Sequence, residues 1–153
     1  MSSVTFNSLF VTAGIAMLSS GAHANNSDER WSSGFGQGVC EAIVTSGAGN
    51  QIYFACDCGS DVPSSISFEL AGENTRGDLV FLSFDGDTPK SFSLWNGGIP
   101  SDCRACADTF DAVKDGLKQH SSVRVMFQNG DAATFTLRGS SAAIGECQAD
   151  FWK

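Results

Sequence analysis

The sequence predicts a mainly β protein, an antiparallel β-sandwich or barrel-like domain with two short helices and disulfide staples. Three observations support this fold class. Short runs of residues alternate between apolar and polar side chains, and turn-forming residues separate these runs every 8 to 12 residues or so. The chain also begins like an exported protein, and it carries an even number of cysteines, six in 153 residues. That combination is typical of disulfide-bonded exported domains.

The first 24 residues have the pattern of a secretory signal peptide. An apolar run from Leu9 to Leu18 is followed by Ala22-His23-Ala24, the small-residue pattern of a cleavage site. The alternative is a membrane anchor, but the run is about half of the roughly 20 residues that a spanning helix needs. We therefore expect cleavage after Ala24, no membrane span in the mature chain, and a periplasmic or secreted location.

The mature chain divides into a leading segment and one domain. Residues 25–38 are polar and rich in glycine and serine, which predicts a flexible N-terminal segment. Residues 39–153 are predicted to form a single β-rich domain. Its first five predicted strands are Val39 to Thr45, Gln51 to Asp57, Ser65 to Ala71, Asp78 to Phe84 and Ser91 to Trp95. The third strand shows the clearest alternation, because every second side chain is apolar and would face the same side of the sheet.

A β-hairpin and two helices complete the predicted domain. Two alternating runs flank Asn129-Gly130, which favours a hairpin with a type I′ turn, where both central residues need positive φ. A helix is predicted from an N-cap at Asp102, since apolar residues recur at helical spacing as far as Leu117. The second helix is predicted from about Ser141 to Phe151.

The net charge of −8 limits the partners that the protein can attract. Phosphate backbones and anionic lipids repel an acidic protein, so nucleic acid and membrane surfaces are excluded as preferred partners. A protein partner, in particular a basic one, remains compatible with this charge. The sequence does not identify it.

Few residues of the mature chain have the pattern of a catalytic or metal site. His120 is the one histidine after the signal peptide, and no nucleophile motif accompanies it. Cys56-x-Cys58 and Cys103-x-x-Cys106 supply four thiols, but the first spacing is one residue short of a zinc knuckle. We predict no catalytic residue, no metal and no cofactor.

The cysteines are predicted to form disulfides, with Cys40, Cys56, Cys58, Cys103, Cys106 and Cys147 as the candidates. Cys56 and Cys58 should have different partners, and Cys40 is well placed to bond one of them. Cys147 would anchor the last helix. Cys103 and Cys106 either bond to each other or tie the helix to the sheet. A redox role for this pair is the alternative, because a helix N-terminus and Arg104 favour a reactive thiolate.

The C-terminal half resembles the invasion-associated locus B family of exported bacterial proteins. The resemblance rests on a short-spaced cysteine pair before a helix, a strand, a turn, and a final F-x-L-x-G-x-x-x-A-I pattern. The matching positions are Cys103, Cys106, Phe110, Val113, Leu117, Phe135, Leu137, Gly139, Ala143 and Ile144. Phe35 stands where that family has its first cysteine. The resemblance implies a non-catalytic binding protein, periplasmic or surface-exposed, linked to host interaction or colonisation.

A second resemblance concerns the stretch from Thr45 to Phe54. Ser46, Gly47 and Tyr53 are similar to the S-G-x-x-Y loop of bacterial periplasmic inhibitors of c-type lysozyme, with a longer spacing. This resemblance implies a binding loop directed at a basic hydrolase, which the acidic charge suits. The sequence therefore supports three functional hypotheses, namely a surface-interaction protein first, a hydrolase inhibitor second, and a thiol–disulfide redox protein third.

Overall fold

The computed structural model describes residues 29–75 and 77–153. The predicted signal peptide, residues 1–24, lies outside the described residues. The strands are β1 (Ser32–Gly36), β2 (Val39–Thr45), β3 (Gln51–Asp57), β4 (Ser65–Leu70), β5 (Glu73–Asn74), β6 (Leu79–Phe84), β7 (Lys90–Ser93), β8 (Gly98–Pro100), β9 (Ser122–Phe127) and β10 (Ala132–Thr136). The helices are α1 (Arg104–Gln119) and α2 (Ser140–Ile144), and a 3₁₀ turn spans Asp150–Trp152.

The strands form two antiparallel sheets, which confirms the predicted fold class. The larger sheet has the order β1-β2-β3-β4-β5, and β8 also pairs with β4. The smaller sheet has the order β10-β9-β6-β7. Neither sheet closes on itself. None of the helices among the described residues is long and apolar enough to cross a membrane.

Helix α1 supplies the centre of the apolar core. Its side chains Ala107, Phe110, Val113 and Leu117 are fully buried. The Phe110 ring lies 5.3 Å from that of Phe54 on β3, measured between centroids. The helical spacing seen in the sequence is therefore the spacing of core contacts. The helix begins one residue later than predicted, because the side chain of Cys103, and not that of Asp102, caps its first turn.

The predicted flexible segment is wrong over Ser32 to Gly36, which form strand β1. This stretch has no apolar alternation, so the sequence pattern did not reveal it. The strand pairs with β2 because the two-residue turn Gln37-Gly38 reverses the chain, with φ of 52° and 82°. Positive φ at both central positions matches the twist of paired strands.

The predicted hairpin is confirmed by β9 and β10, but its predicted type I′ turn is wrong. Only Gly130 of the Asn129-Gly130 pair has positive φ, at 98°. Gly130 N–H donates to the Phe127 carbonyl at 3.1 Å, and Phe127 N–H donates to the Asp131 carbonyl at 2.9 Å. Three residues therefore form the loop, which is the geometry of a type I turn followed by a left-handed glycine.

The second helix is much shorter than predicted. Helix α2 ends at Ile144 because Gly145 adopts φ 61° and ψ −148°, which no helix can continue. The chain then runs to Cys147 and a separate 3₁₀ turn. Phe151 lies in that turn and is exposed, so it does not extend an apolar stripe.

All six cysteines are paired as Cys40–Cys58, Cys56–Cys147 and Cys103–Cys106. The prediction that Cys56 and Cys58 have different partners is confirmed. The Cys56–Cys147 bond is buried and ties the C-terminal segment to β3. The four thiols on which a zinc site would depend are all consumed by these bonds.

Candidate functional site

A tryptophan stands at the tip of the connection between β7 and β8. Trp95 N–H donates to the Gly98 carbonyl at 2.7 Å, and Gly98 N–H returns a bond to the Trp95 carbonyl at 3.1 Å. The two residues between them, Asn96 and Gly97, have φ of 50° and 82°. This is the backbone of a type I′ turn, which is a rigid two-residue connection. The turn holds Trp95 with 73% of its surface exposed.

Trp95 forms one side of an apolar groove of about 260 Å³. The buried side chains of Leu94 and Ile99 form its floor. The opposite wall is the first part of α1, where Ala105, Cys106 and Thr109 line the groove. The remaining lining residues are Ser93 and Pro100. The groove is thus largely apolar, and its two hydroxyl groups belong to Ser93 and Thr109.

The Cys103–Cys106 bond makes the α1 wall rigid. The Cys103 sulfur accepts a hydrogen bond from Cys106 N–H at 3.1 Å and so caps the helix. Cys103 is exposed and Cys106 is half-buried at the groove. Three exposed charged residues, Asp102, Arg104 and Asp108, surround this end of the helix. The Cys103–Cys106 disulfide therefore holds the groove wall together and is also accessible to external thiols.

The structure separates the residues of the predicted lysozyme-inhibitor loop. Ser46 and Gly47 lie in the turn between β2 and β3, where the Ser46 hydroxyl donates to the Thr134 carbonyl at 2.8 Å. Tyr53 lies within β3 itself, and its hydroxyl donates to the Glu41 carboxylate at 2.5 Å. Burial, then the hydrogen bond and charge of Glu41, raise the pKa of Tyr53 to about 12. Both hydroxyls are thus engaged within the domain.

His120 is held in a local structural contact. Its Nδ1 lies 3.0 Å from the Asp85 carboxylate, and its ring stacks on Phe84 with a centroid distance of 5.0 Å. The backbone N–H groups of Ser121 and Ser122 also donate to Asp85. These donors, with Ser122 N–H first, lower the pKa of Asp85. The Ser122 hydroxyl donates to Asp85 at 3.3 Å, so the His120 ring does not lie between this hydroxyl and the carboxylate, as the order of a catalytic triad requires.

A polar network fastens the C-terminal segment to the larger sheet. Lys153 forms ion pairs with Asp57 at 2.9 Å and Asp150 at 2.6 Å. The Asp150 carboxylate also accepts hydrogen bonds from the Ser64 backbone N–H and from the Ser101 hydroxyl. These contacts are structural, since each carboxylate is occupied by donors from the same segment or its neighbours.

Sequence reasoning missed the groove as a site. The signal that could have found it is the sequence W-N-G-G, in which an Asn-Gly pair directly follows a tryptophan. Asn-Gly is the strongest short indicator of a type I′ turn, and the indole directly before this pair therefore stands at the tip of a tight turn. The apolar floor could not be predicted, because it depends on how α1 lies against β8.

Fold and site together define a small disulfide-bonded antiparallel β protein with a rigid aromatic groove. Within this class, the family model YfjT matches residues 29–144. The match covers most of the chain, including the whole groove and five of the six cysteines, so the chain belongs to the YfjT family. No match to the chain was found among curated proteins or among solved structures.

Proposed function

We propose that the protein is an exported bacterial binding protein, without catalytic activity, that seats a protein partner in the Trp95 groove. The proposal has two further parts, namely that the protein is related to the invasion-associated locus B family and that it takes part in host interaction or colonisation. The observation that carries the proposal is Trp95 itself, held 73% exposed beside an apolar groove. Exposed apolar surface of this kind commonly marks an interaction site.

The rigidity of the groove supports a binding role. Tryptophan is enriched among the residues that dominate binding energy at protein interfaces. A partner would have to order only the side-chain torsions of this indole, because the Asn96-Gly97 turn already fixes the backbone of Trp95. The Cys103–Cys106 bond fixes the opposite wall in the same way. Preorganised surfaces lose less entropy on binding, which favours affinity.

The size and charge of the site indicate the chemistry of the partner. A volume of about 260 Å³ is below the range typical of whole small-molecule ligands, and it suits one or two protein side chains. The net charge of −8 attracts basic partners, and at the α1 end of the groove two exposed carboxylates, Asp102 and Asp108, outnumber the one cation, Arg104. An exposed indole also attracts Lys or Arg through its π face. We expect an apolar side chain next to a basic one.

Peptide display against the purified disulfide-bonded protein tests this proposal. Selected peptides are expected to carry Lys or Arg adjacent to an aromatic or aliphatic residue. Their affinity should fall at least tenfold for Trp95→Ala, since interface tryptophans contribute about 2 kcal/mol or more. The matched control is Phe151→Ala, which removes an exposed aromatic side chain outside the groove.

Two results would count against the proposal. Selection of acidic peptides would contradict the charge argument, and equal affinity for wild type and Trp95→Ala would contradict the location. The link to colonisation is tested separately, by comparing the adhesion to host cells of bacteria that export the wild type, Trp95→Ala or Phe151→Ala. Reduced adhesion for Trp95→Ala alone is expected.

A further inference from the structure

Strand β1 is an edge strand with an unprotected outer side. It pairs with β2 on one side, and no other strand of residues 29–75 and 77–153 pairs with it. Its five residues, SSGFG, are all exposed and include no charge and no proline. Charges, prolines and bulges are the usual devices that keep an edge strand from pairing with another chain. This edge has none of them over its length.

The register shows which backbone groups face outward. Gly36 and Val39 close the two-residue turn, so they form a hydrogen-bonded pair, as do Gly34 and Glu41. Ser33 and Phe35 alternate with these residues. Their N–H and C=O groups therefore point away from β2 and are available to another strand.

Phe35 lies on the inner face of the sheet without a cover. Its cross-strand neighbour is Cys40, and Ser33 lies opposite the buried Ala42, which faces the core. Phe35 shares this face, yet 71% of its surface is exposed. The inner face of the larger sheet thus extends beyond the core at β1 and ends in an exposed aromatic ring.

We propose that a second copy of this chain pairs with β1, strand to strand and antiparallel, about a two-fold axis at Gly34. This register places Phe35 of each copy opposite Ser33 of the other and joins them by four backbone hydrogen bonds. A large side chain then faces a small one, and the two Phe35 rings become diagonal neighbours within contact reach. The larger sheets of both copies merge into one continuous sheet.

Charge at the ends of β1 favours a second copy as the occupant. Arg30 precedes β1 and the Gln37-Gly38 turn follows it, so antiparallel pairing places the Arg30 end of one copy at the turn end of the other. Gly38 packs directly on Gly59 and Ser60, next to the exposed Asp61. None of the ion pairs among the described residues includes Arg30 or Asp61. The two-fold symmetry would bring Arg30 of each copy toward Asp61 of the other, so this contact would occur twice. Glu29, the other charge near this end, instead lines a groove with Ser121 and Thr134.

The proposed dimer is weak and reversible. Stable interfaces bury about 1,200 to 2,000 Å² in total, and one pair of five-residue strands buries less. The charge of −8 on each copy adds long-range repulsion that salt screens. Dimers should therefore form at micromolar to millimolar concentrations, and moderate salt should favour them.

Sedimentation equilibrium across that concentration range, with the purified disulfide-bonded protein, tests the proposal. The wild type is expected to shift from monomer to dimer. Ser33→Pro removes an outward N–H and leaves the bonds to β2 intact, so it should weaken dimerisation at least tenfold. Phe151→Ala removes an exposed aromatic side chain outside both β1 and the groove, so it should leave dimerisation unchanged. A wild type that stays monomeric throughout the range would overturn the proposal.

Cysteine crosslinking tests the register itself. Gly34→Cys should form an intermolecular disulfide on mild oxidation, because residue 34 faces its own copy in a non-hydrogen-bonded pair about 4.5 Å apart between Cα atoms. A Cβ at this position meets only ordinary contact, 3.5 Å from the Glu41 carboxylate. The matched control, Ser33→Cys, lies about 7 to 8 Å or more from its copy and should not crosslink. Equal crosslinking of both variants, or of neither, would contradict the proposed pairing.

Discussion

The three disulfides should contribute to stability in the order of the chain length that each one closes. The bonds Cys103–Cys106, Cys40–Cys58 and Cys56–Cys147 span sequence separations of 3, 18 and 91. The chain-entropy relation then assigns them about 1.6, 3.2 and 4.6 kcal/mol at 25 °C. Burial of Cys56 and Cys147 adds a packing loss when these side chains are shortened. Replacing both cysteines of a pair with alanine should therefore be mildest at the Cys103–Cys106 position.

Urea unfolding of the three double-alanine variants measures this order through the free energy of unfolding. The Cys103→Ala/Cys106→Ala variant should lose about 2 kcal/mol or less, and the Cys56→Ala/Cys147→Ala variant should lose about 4 kcal/mol or more. Equal losses, or a reversed order, would refute the reasoning from loop length. A small loss at Cys103–Cys106 would also mean that this exposed bond can open while the fold persists, which the redox alternative requires.

Further predictions concern acid stability, the groove turn and the lysozyme alternative. The hydrogen bond from Lys153, followed by those from backbone N–H groups, lowers the pKa of Asp57. Burial alone would raise the pKa of Asp150, but hydrogen bonds from Lys153, Ser101 and Ser64 together lower it. Both carboxylates therefore stabilise the fold above about pH 4, the usual pKa of an aspartate in the unfolded chain, and this stabilisation is lost as the pH falls further. In acid titrations, the free energy of unfolding of Asp150→Asn should depend less on pH than that of the wild type. Gly97→Ala should cost about 1 kcal/mol in urea unfolding, because φ is 82°, and should weaken peptide binding. The protein at micromolar excess should leave c-type lysozyme active, whereas inhibition abolished by Tyr53→Phe would support the inhibitor hypothesis instead.

Much of the fold could be predicted because alternation and helical spacing report directly on burial. The strand from Gln51 to Asp57 and helix α1 follow from the sequence pattern almost to the residue. Turn types could not be predicted in the same way. The sequence predicts type I′ geometry at Asn129-Gly130, yet of these two pairs Asn96-Gly97 adopts it. The difference lies in the pairing register. Two residues, Asn96 and Gly97, separate the hydrogen-bonded Trp95 and Gly98, whereas three residues separate Phe127 from Asp131.

The candidate site was less accessible to sequence reasoning than the fold. Cys56 and Cys58 do have different partners, but strand alternation is not the reason, because residues two positions apart share a face and Cys58 lies beyond the end of β3. No sequence pattern shows that Cys56 reaches Cys147 across 91 positions. The groove combines a turn, a short strand and one end of α1, and no local pattern links these parts. The predicted disulfide at Cys103 and Cys106 is confirmed, and the structure adds that this bond lies in the wall of the groove.

The most direct test of the central claim follows the three tryptophan indole N–H signals by NMR as a selected basic peptide is added. Trp31 donates to the Thr136 carbonyl and Trp152 to the Asp111 carboxylate, so both serve as internal references away from the groove. If the Trp95 groove binds the partner, the Trp95 signal should shift in proportion to occupancy while the other two stay in place. Saturable binding that shifts Trp152 or Trp31 and leaves Trp95 unchanged would contradict the account.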